Sequence, residues 1–334
     1  MGEAGAADGG QLGVTTMENA AGVSVTGRAR MRVVLLVGLV VATALCMSDQ
    51  GSAAESGSSV KPTVRIGSTN FTEQLIVAEL YGQVLEANGY KVERRLNLGN
   101  REIVAPALES GQIDLYPEYL ATYLTYLTRD KAQASTDAAA TYRNLQAALA
   151  PKRLTVLDYA PAVDTNGFVV TKETSERHTL RRLSDLTTVA RQLVLGGPPE
   201  CPDRPFCLPG LRQVYGITFK DFKALDAGGP LTVVALDGKQ IDVALLFTTD
   251  AVIAAKGYVL LQDDKKLQLA DNIAPVVRTD LLARAPAGFT SLLNGVTAQI
   301  TTEEITGLNR RVGLDKQDPK VVAGAWLKQK RLVK

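Results

Sequence analysis

The sequence predicts an α/β protein, and three observations carry that prediction. Strand-like and helical runs alternate from Val64 onward. Two junctions, GSTNFTEQ and IDLYPEY, turn directly from an extended run into a helical one. The second junction is echoed 128 positions downstream, where Ala235-Leu236 and Gln240-Ile241-Asp242 repeat Ala107-Leu108 and Gln112-Ile113-Asp114. If the echo is structural, it carries Tyr119 onto Phe247 and sets two similar halves face to face with one ring apiece.

The first extended run begins at Val64 and stops at a Gly-Ser-Thr turn. Asn70 and Glu73, spaced as a capping box, then open a helix that ends near Gly89. Its first turn offers unpaired N–H groups and the positive end of a dipole, which suits an anionic ligand group, although most helix starts merely face water. Val92 to Leu98 reads as extended and Glu102 to Ser110 as helical. From Ile113 a short strand meets Pro117, a residue suited to the first helical position, which puts Tyr119 in the first turn of a helix. That junction points to the carboxyl end of the sheet, where open α/β sheets bind ligands. The Tyr119 ring face can hold a cation, including a quaternary ammonium with no hydrogen bond to give. Tyr116, Tyr123 and Tyr126 share its helical spacing, and Tyr123 and Tyr126 read as core packing. Farther on, Gly167 to Thr171 and Gln192 to Gly196 read as extended and Pro209 to Tyr215 as helical.

Composition bounds the function without choosing it. The 334 residues, 46% hydrophobic and 22% charged, suffice for one large or two modest globular domains. Basic and acidic residues nearly balance, 37 against 35, which leaves no nucleic-acid footprint. The basic runs at 177–182 and 328–334 read as solvated faces. At the N-terminus, Arg28, Arg30 and Arg32 precede an apolar run from Val33 to Met47, and Ser52, Ala53 and Ala54 supply a cleavage site. This is a secretory pattern, too short to span a bilayer comfortably. Residues 1–54 are therefore read as a signal peptide with an N-terminal extension, whose length points to Met17 or Met31 as the start, and 55–62 as a linker. Cleavage near Ala54 is preferred to lipid anchoring at Cys46, because Leu45 stands where a lipobox takes a small residue. The expected location is outside the cytoplasm, at the cell surface or in a periplasm.

Only Cys201 and Cys207 remain in the mature part, and in an exported chain their proline-stiffened loop reads as a disulfide. No metal site is expected, since the one histidine, His178, lies well away among charged residues. No cofactor is expected either. A serine nucleophile motif, a metal-ligand cluster and a phosphate loop are all missing from the mature sequence, which argues against an enzyme.

GSTNFTEQ, ALESGQIDLYPEY, PPECPDRPFCLPGL with VYGITF, LDAGGPLT, and LFTTD followed by APVVR occur here in one order. In these blocks the chain from Val64 onward resembles the osmoprotectant-binding proteins of ABC importers, which capture glycine betaine, choline, carnitine and related quaternary amines. The resemblance implies a two-lobed type II periplasmic-binding-protein fold with the ligand cleft between lobes. Lobe one is expected at 63–163 with 275–334, and lobe two at 164–274. It also implies permease subunits of an ABC importer as partners, with the binding protein itself a monomer.

The same resemblance assigns candidate ligand contacts. Tyr119 falls on a cage tyrosine and Thr122 on a nearby polar contact, with Ala121 where the family motif has glycine. A second cage position falls on Asn166-Gly167-Phe168, where the ring is Phe168 or absent, a third on Phe247, and a fourth on Asp271, before Asn272-Ile273-Ala274-Pro275. Arg204, at the tip of the disulfide loop, sits where the family's anion-binding arginine belongs and is expected to clamp a ligand carboxylate. Thr69, Gln74 and Arg101 are further polar candidates from lobe one. Phenylalanine keeps a cation–π face, whereas Asp271 would meet a cation by charge, so a primary amine or guanidino compound competes with glycine betaine. An extracellular sensory domain is the other alternative, because the same two-lobed fold serves receptors.

Overall fold

The computed structural model describes residues 61–334. The signal segment, Met17, Met31, Cys46, the Ala54 cleavage site and residues 55–60 lie outside the described residues. The chain runs through β1 (Val64–Gly67), α1 (Thr72–Ala87), β2 (Val92–Arg95), α2 (Arg101–Glu109), β3 (Leu115–Tyr119) and α3 (Leu120–Thr128). Next come α4 (Ala138–Leu149), β4 (Leu154–Val156), β5 (Asn166–Val170), α5 (Lys172–His178), β6 (Val194–Gly197) and the single turn α6 (Leu208–Gly210). After β7 (Asp221–Ala224) come α7 (Pro230–Asp237), β8 (Val243–Phe247), α8 (Val252–Ala255), β9 (Val259–Leu260) and β10 (Ile273–Arg278). Four helices close the chain: α9 (Thr279–Arg284), α10 (Phe289–Thr297), α11 (Thr302–Gly313) and α12 (Pro319–Gln329).

The predicted alternation resolves into two mixed sheets of five strands, ordered β2-β1-β3-β10-β4 and β7-β6-β8-β5-β9. β10 returns from beyond the second sheet to pair antiparallel with β3 and β4. The chain therefore crosses between the sheets twice, and the crossings lie side by side, bridged at Val163 and Asn272. α1 carries apolar residues all round, and Ile76, Leu80, Tyr81 and Leu85 are buried beneath the carboxy-terminal helices with Leu293, Ile305 and Trp326. Among the described residues no helix is long and apolar enough to cross a membrane.

The internal echo is structural. β3 and β8 are five-residue strands that begin at Leu115 and Val243, an offset of 128. Just before each strand an aspartate clips the neighbouring parallel strand. The Asp114 carboxylate accepts the Arg65 N–H at 2.9 Å, and the Asp242 carboxylate accepts that of Val194 at 2.8 Å. Each aspartate returns its own N–H to the same neighbour's carbonyl. A Cβ added at Gly67 would overlap Ile113, and one at Gly196 would overlap Ile241, so both junctions need the strand glycine for close approach.

Two local expectations are corrected. α1 starts one residue later than a capping box requires: Phe71 is its N-cap with no side-chain bond, and the Glu73 side chain points into the interior instead. Pro117 does not open a helix but lies within β3, opposite Pro275 of β10. The Leu120 N–H bonds the Asn272 carbonyl, which places the hydrogen-bonded pairs at even-numbered residues of β3. Both prolines thus occupy a non-hydrogen-bonded pair of the β3–β10 ladder, where neither is asked for an N–H by the other. Tyr119 becomes the last strand residue and the N-cap of α3.

Candidate functional site

A cavity of about 240 Å³ opens where β1, β3, β6 and β8 end, lined by the segments that follow those strands. Its position obeys the rule that sheets of this kind bind at their carboxyl edges. One wall is aromatic: the Phe71 ring lies 4.7 Å from that of Phe247 and 6.2 Å from that of Tyr119. Phe71 was not singled out from the sequence. No local signal marked it, because the sequence reads Asn70 as the N-cap and only the later start of α1 puts Phe71 there.

Behind this wall, Glu73 is buried without a cationic partner among the described residues. It accepts hydrogen bonds from the Tyr119 hydroxyl at 2.8 Å, the Thr249 hydroxyl at 2.6 Å and the Asn309 amide at 2.9 Å. Burial pushes the Glu73 carboxyl up. Burial, and then the Glu73 charge beside it, raise the Tyr119 hydroxyl well above its ordinary range, so it stays a neutral donor. Asp164, at the first crossing, holds the Thr249 N–H at 3.1 Å, and burial drives its carboxyl well above normal.

At the other end, Arg101 is buried and forks onto Glu118 at 2.6 and 2.7 Å, with a third bond to the Thr122 hydroxyl at 2.8 Å. Glu118 also accepts from the Tyr116 hydroxyl and the Tyr119 N–H. Asp271 lines the cavity beside this group and accepts the Thr122 N–H at 2.8 Å. Burial pushes its carboxyl up to about 7. Buried oxygens of Thr69, Asn100 and Thr125, all cavity-lining residues, have no protein hydrogen-bond partner among the described residues.

The Cys201–Cys207 disulfide is formed, with Cα atoms 5.3 Å apart, and both cysteines sit in the core of the second sheet. The loop projects Arg204 into the cavity lining, but the guanidinium is already engaged. It donates to the Glu102 carboxylate of α2 at 3.1 and 2.8 Å, across the mouth between the two sheets. The pairing with Glu102, like Phe71, was not anticipated.

The structure brings Thr69, Gln74, Arg101, Tyr119, Thr122, Arg204, Phe247 and Asp271 to one cavity. Phe168 is the correction. It is 1% exposed in mid-strand, packed with Leu195, Leu245 and Leu261, and does not line the cavity. β5 runs antiparallel to β8, so its first residue lies opposite Phe247 at the edge where β8 ends, and Asn166 takes the place expected of Phe168. Tyr126, read from the sequence as core packing, stacks on Tyr123 and also lines the cavity.

Residues 62–329 match the family described as the substrate-binding domain of ABC-type glycine betaine transport systems. The chain is 30% identical over 300 residues to a glycine-betaine-binding protein of Pseudomonas aeruginosa, covering 86% of this chain and 94% of that one. It is 28% identical to the carnitine transport binding protein OpuCC of Listeria monocytogenes, covering 82% of this chain and 88% of that one. Among solved structures it resembles a glycine betaine/carnitine/choline ABC transporter protein, with a TM-score of 0.65 and 27% identity over 80% of this chain and 99% of that one. It also resembles apo YehZ of Escherichia coli, with a TM-score of 0.58 and 28% identity over 81% of this chain and 99% of that one.

Proposed function

The chain belongs to the family of substrate-binding domains of ABC-type glycine betaine transport systems, and from that premise we propose that its cavity captures a quaternary-amine osmoprotectant for delivery to an ABC importer. The single observation that carries the reading is the wall of Phe71, Tyr119 and Phe247 rings in a cavity whose unpaired charges are mostly acidic. A quaternary ammonium cannot donate hydrogen bonds, so ring faces and diffuse negative charge are what can hold it. Relatives named for glycine betaine and carnitine support the same ligand class.

The two sheets act as lobes, 63–163 with 275–334 and 164–274, that close on the ligand about the crossings at Val163 and Asn272. Closure presents the permease subunits with a changed surface. The protein works outside the cytoplasm as a monomer, cleaved near Ala54. Of the contacts, Tyr119 and Phe247 supply ring faces, while Thr69, Gln74, Thr122 and Asp271 supply polar groups. Arg101 positions Glu118 and Thr122 rather than meeting the ligand. Calorimetric titration of the oxidised protein with glycine betaine, choline and carnitine tests the reading. Tight binding of at least one, lost in Tyr119→Ala while the far-ultraviolet spectrum is kept, is the expected result. Heat from none of them would refute it.

A further inference from the structure

Three arginines line the cavity, and two of them are already neutralised. Arg101 forks onto Glu118 at 2.6 and 2.7 Å, and Arg204 forks onto Glu102 at 3.1 and 2.8 Å. Burial pushes the Glu102 carboxyl up, but the Arg204 charge and hydrogen bond, with a backbone N–H and the Arg101 charge, together hold the group below its usual range, as an ionised pair requires. The third, Arg129, is exposed at the rim, with its guanidinium 4.9 Å from the centre of the Tyr126 ring. Against it stand the lining acids outside those two pairs: Asp164, Glu200, Asp203 and Asp271. Glu200 also lies 3.5 Å from Arg204, a second acid on a cation already matched.

A zwitterion such as glycine betaine brings its own carboxylate and needs a cation to receive it. Here the arginine on the disulfide loop already holds a carboxylate, supplied by α2. To reach Arg204, a ligand carboxylate would have to displace Glu102 and leave that acid uncompensated at the mouth, while Arg129 stands out at the rim against the Tyr126 ring. A ligand that is only a cation leaves the pair intact, and the pair then ties the two halves of the site together over it. The polar lining also holds acceptors for a hydroxyl, beside the unpartnered Thr69 and Thr125 hydroxyls. Asn100 Oδ1 is buried with no donor among the described residues, and Asp271 lies in the lining with acceptor capacity. These groups match a hydroxyl that donates, whereas glycine betaine has no hydrogen to give.

We propose that this site is built for a quaternary ammonium cation that bears a hydroxyl and lacks a carboxylate, the chemistry of choline, with Glu102 as the residue that rejects zwitterions. The inference rests on the osmoprotectant reading above and narrows it. The test is calorimetric titration of the purified, oxidised protein and of Glu102→Gln with choline and with glycine betaine. In the wild type, choline binds at least about tenfold tighter than glycine betaine, the worth of one charge-assisted bond. In Glu102→Gln, Arg204 loses its forked carboxylate and keeps only Glu200 at 3.5 Å, and glycine betaine gains at least about tenfold relative to choline. Glu102 is half-exposed, so the variant keeps its fold, and the ratio of two ligands on one preparation is insensitive to its active fraction. Glycine betaine binding as tightly as choline in the wild type, or a ratio unmoved by Glu102→Gln, overturns this inference and leaves the osmoprotectant reading standing. Binding of neither ligand overturns this inference, and silence toward carnitine as well overturns both.

Discussion

The Tyr119 hydroxyl donates at 2.8 Å to Glu73, a carboxylate that is 2% exposed and reached by no cation among the described residues. The same tyrosine offers its ring to the cavity. One side chain thus joins a binding surface to a buried polar cluster, and the two roles separate by substitution. Tyr119→Phe keeps the ring and removes the donor, which leaves Glu73 with Thr249 and Asn309 alone. The expected cost is about 1–2 kcal/mol of stability, read from urea unfolding. Ligand affinity should stay within about threefold of wild type. Loss of affinity equal to that of Tyr119→Ala would show that the hydroxyl, not the ring, makes the contact.

Thr249 tests how that cluster bears on closure. It follows β8 of the second sheet, yet its hydroxyl donates at 2.6 Å to Glu73 of α1, and the Asn309 amide of α11 reaches both. Thr249→Val is nearly isosteric and cuts the donation. The expected outcome is a larger radius of gyration for the ligand-free protein by small-angle scattering. Affinity should fall about two- to tenfold, because binding must first restore the closed population. An unchanged scattering profile with unchanged affinity would assign the cluster to stability alone.

The sequence made the sheet junctions legible and left the polar wiring hidden, for different physical reasons. Strand-to-helix turns are local: Gly67 and Gly196 are demanded by a neighbouring isoleucine, so they leave a mark that repeats with Asp114 and Asp242. Tyr119 and Phe247 were readable because that repeat carries one onto the other. Partners across the cleft have no such spacing. Glu102 meets Arg204 from a different element, and Glu73 looks like a capping residue until Tyr119, Thr249 and Asn309 are seen around it. Phe168 was misplaced because an aligned position says nothing about whether a residue stands at a strand's end or in its middle. The cysteine pair was readable because few alternatives exist for two cysteines in one short loop.

Removing the disulfide separates a stability effect from a binding effect. Cys201 and Cys207 enclose a short loop, and the chain-entropy model gives about 2 kcal/mol for its closure. Cys201→Ser with Cys207→Ser should lower the unfolding free energy by about that amount, measured by urea titration with and without reductant. The loop also holds Arg204 against Glu102, so choline affinity should fall in the variant at temperatures where it remains folded. If the variant matches the oxidised wild type in both stability and affinity, the bridge does not fix the position of Arg204.

Asp271 makes ligand affinity depend on pH, with a sign that follows from its surroundings. Burial pushes its carboxyl up to about 7, against the Thr122 N–H and the Arg101 charge that pull it down, while Glu118 adds to the rise. For stability, a raised carboxylate contributes fully below its unfolded value near 4, and the contribution is lost as pH rises through about 7. Asp250, raised to about 7 by burial, acts in the same window. For binding the sign is opposite. A cation seated beside Asp271 favours the ionised form, so binding releases a proton and affinity rises as pH climbs from 5.5 toward 7.5. The expected gain over that range is about three- to tenfold, levelling off above pH 7. Titrations with choline in two buffers of different ionisation enthalpy should show proton release at pH 6, and Asp271→Asn should flatten the profile. A wild-type affinity that does not change between pH 5.5 and 7.5 would place the ligand's cation away from Asp271 and return the selection of charge to the aromatic wall.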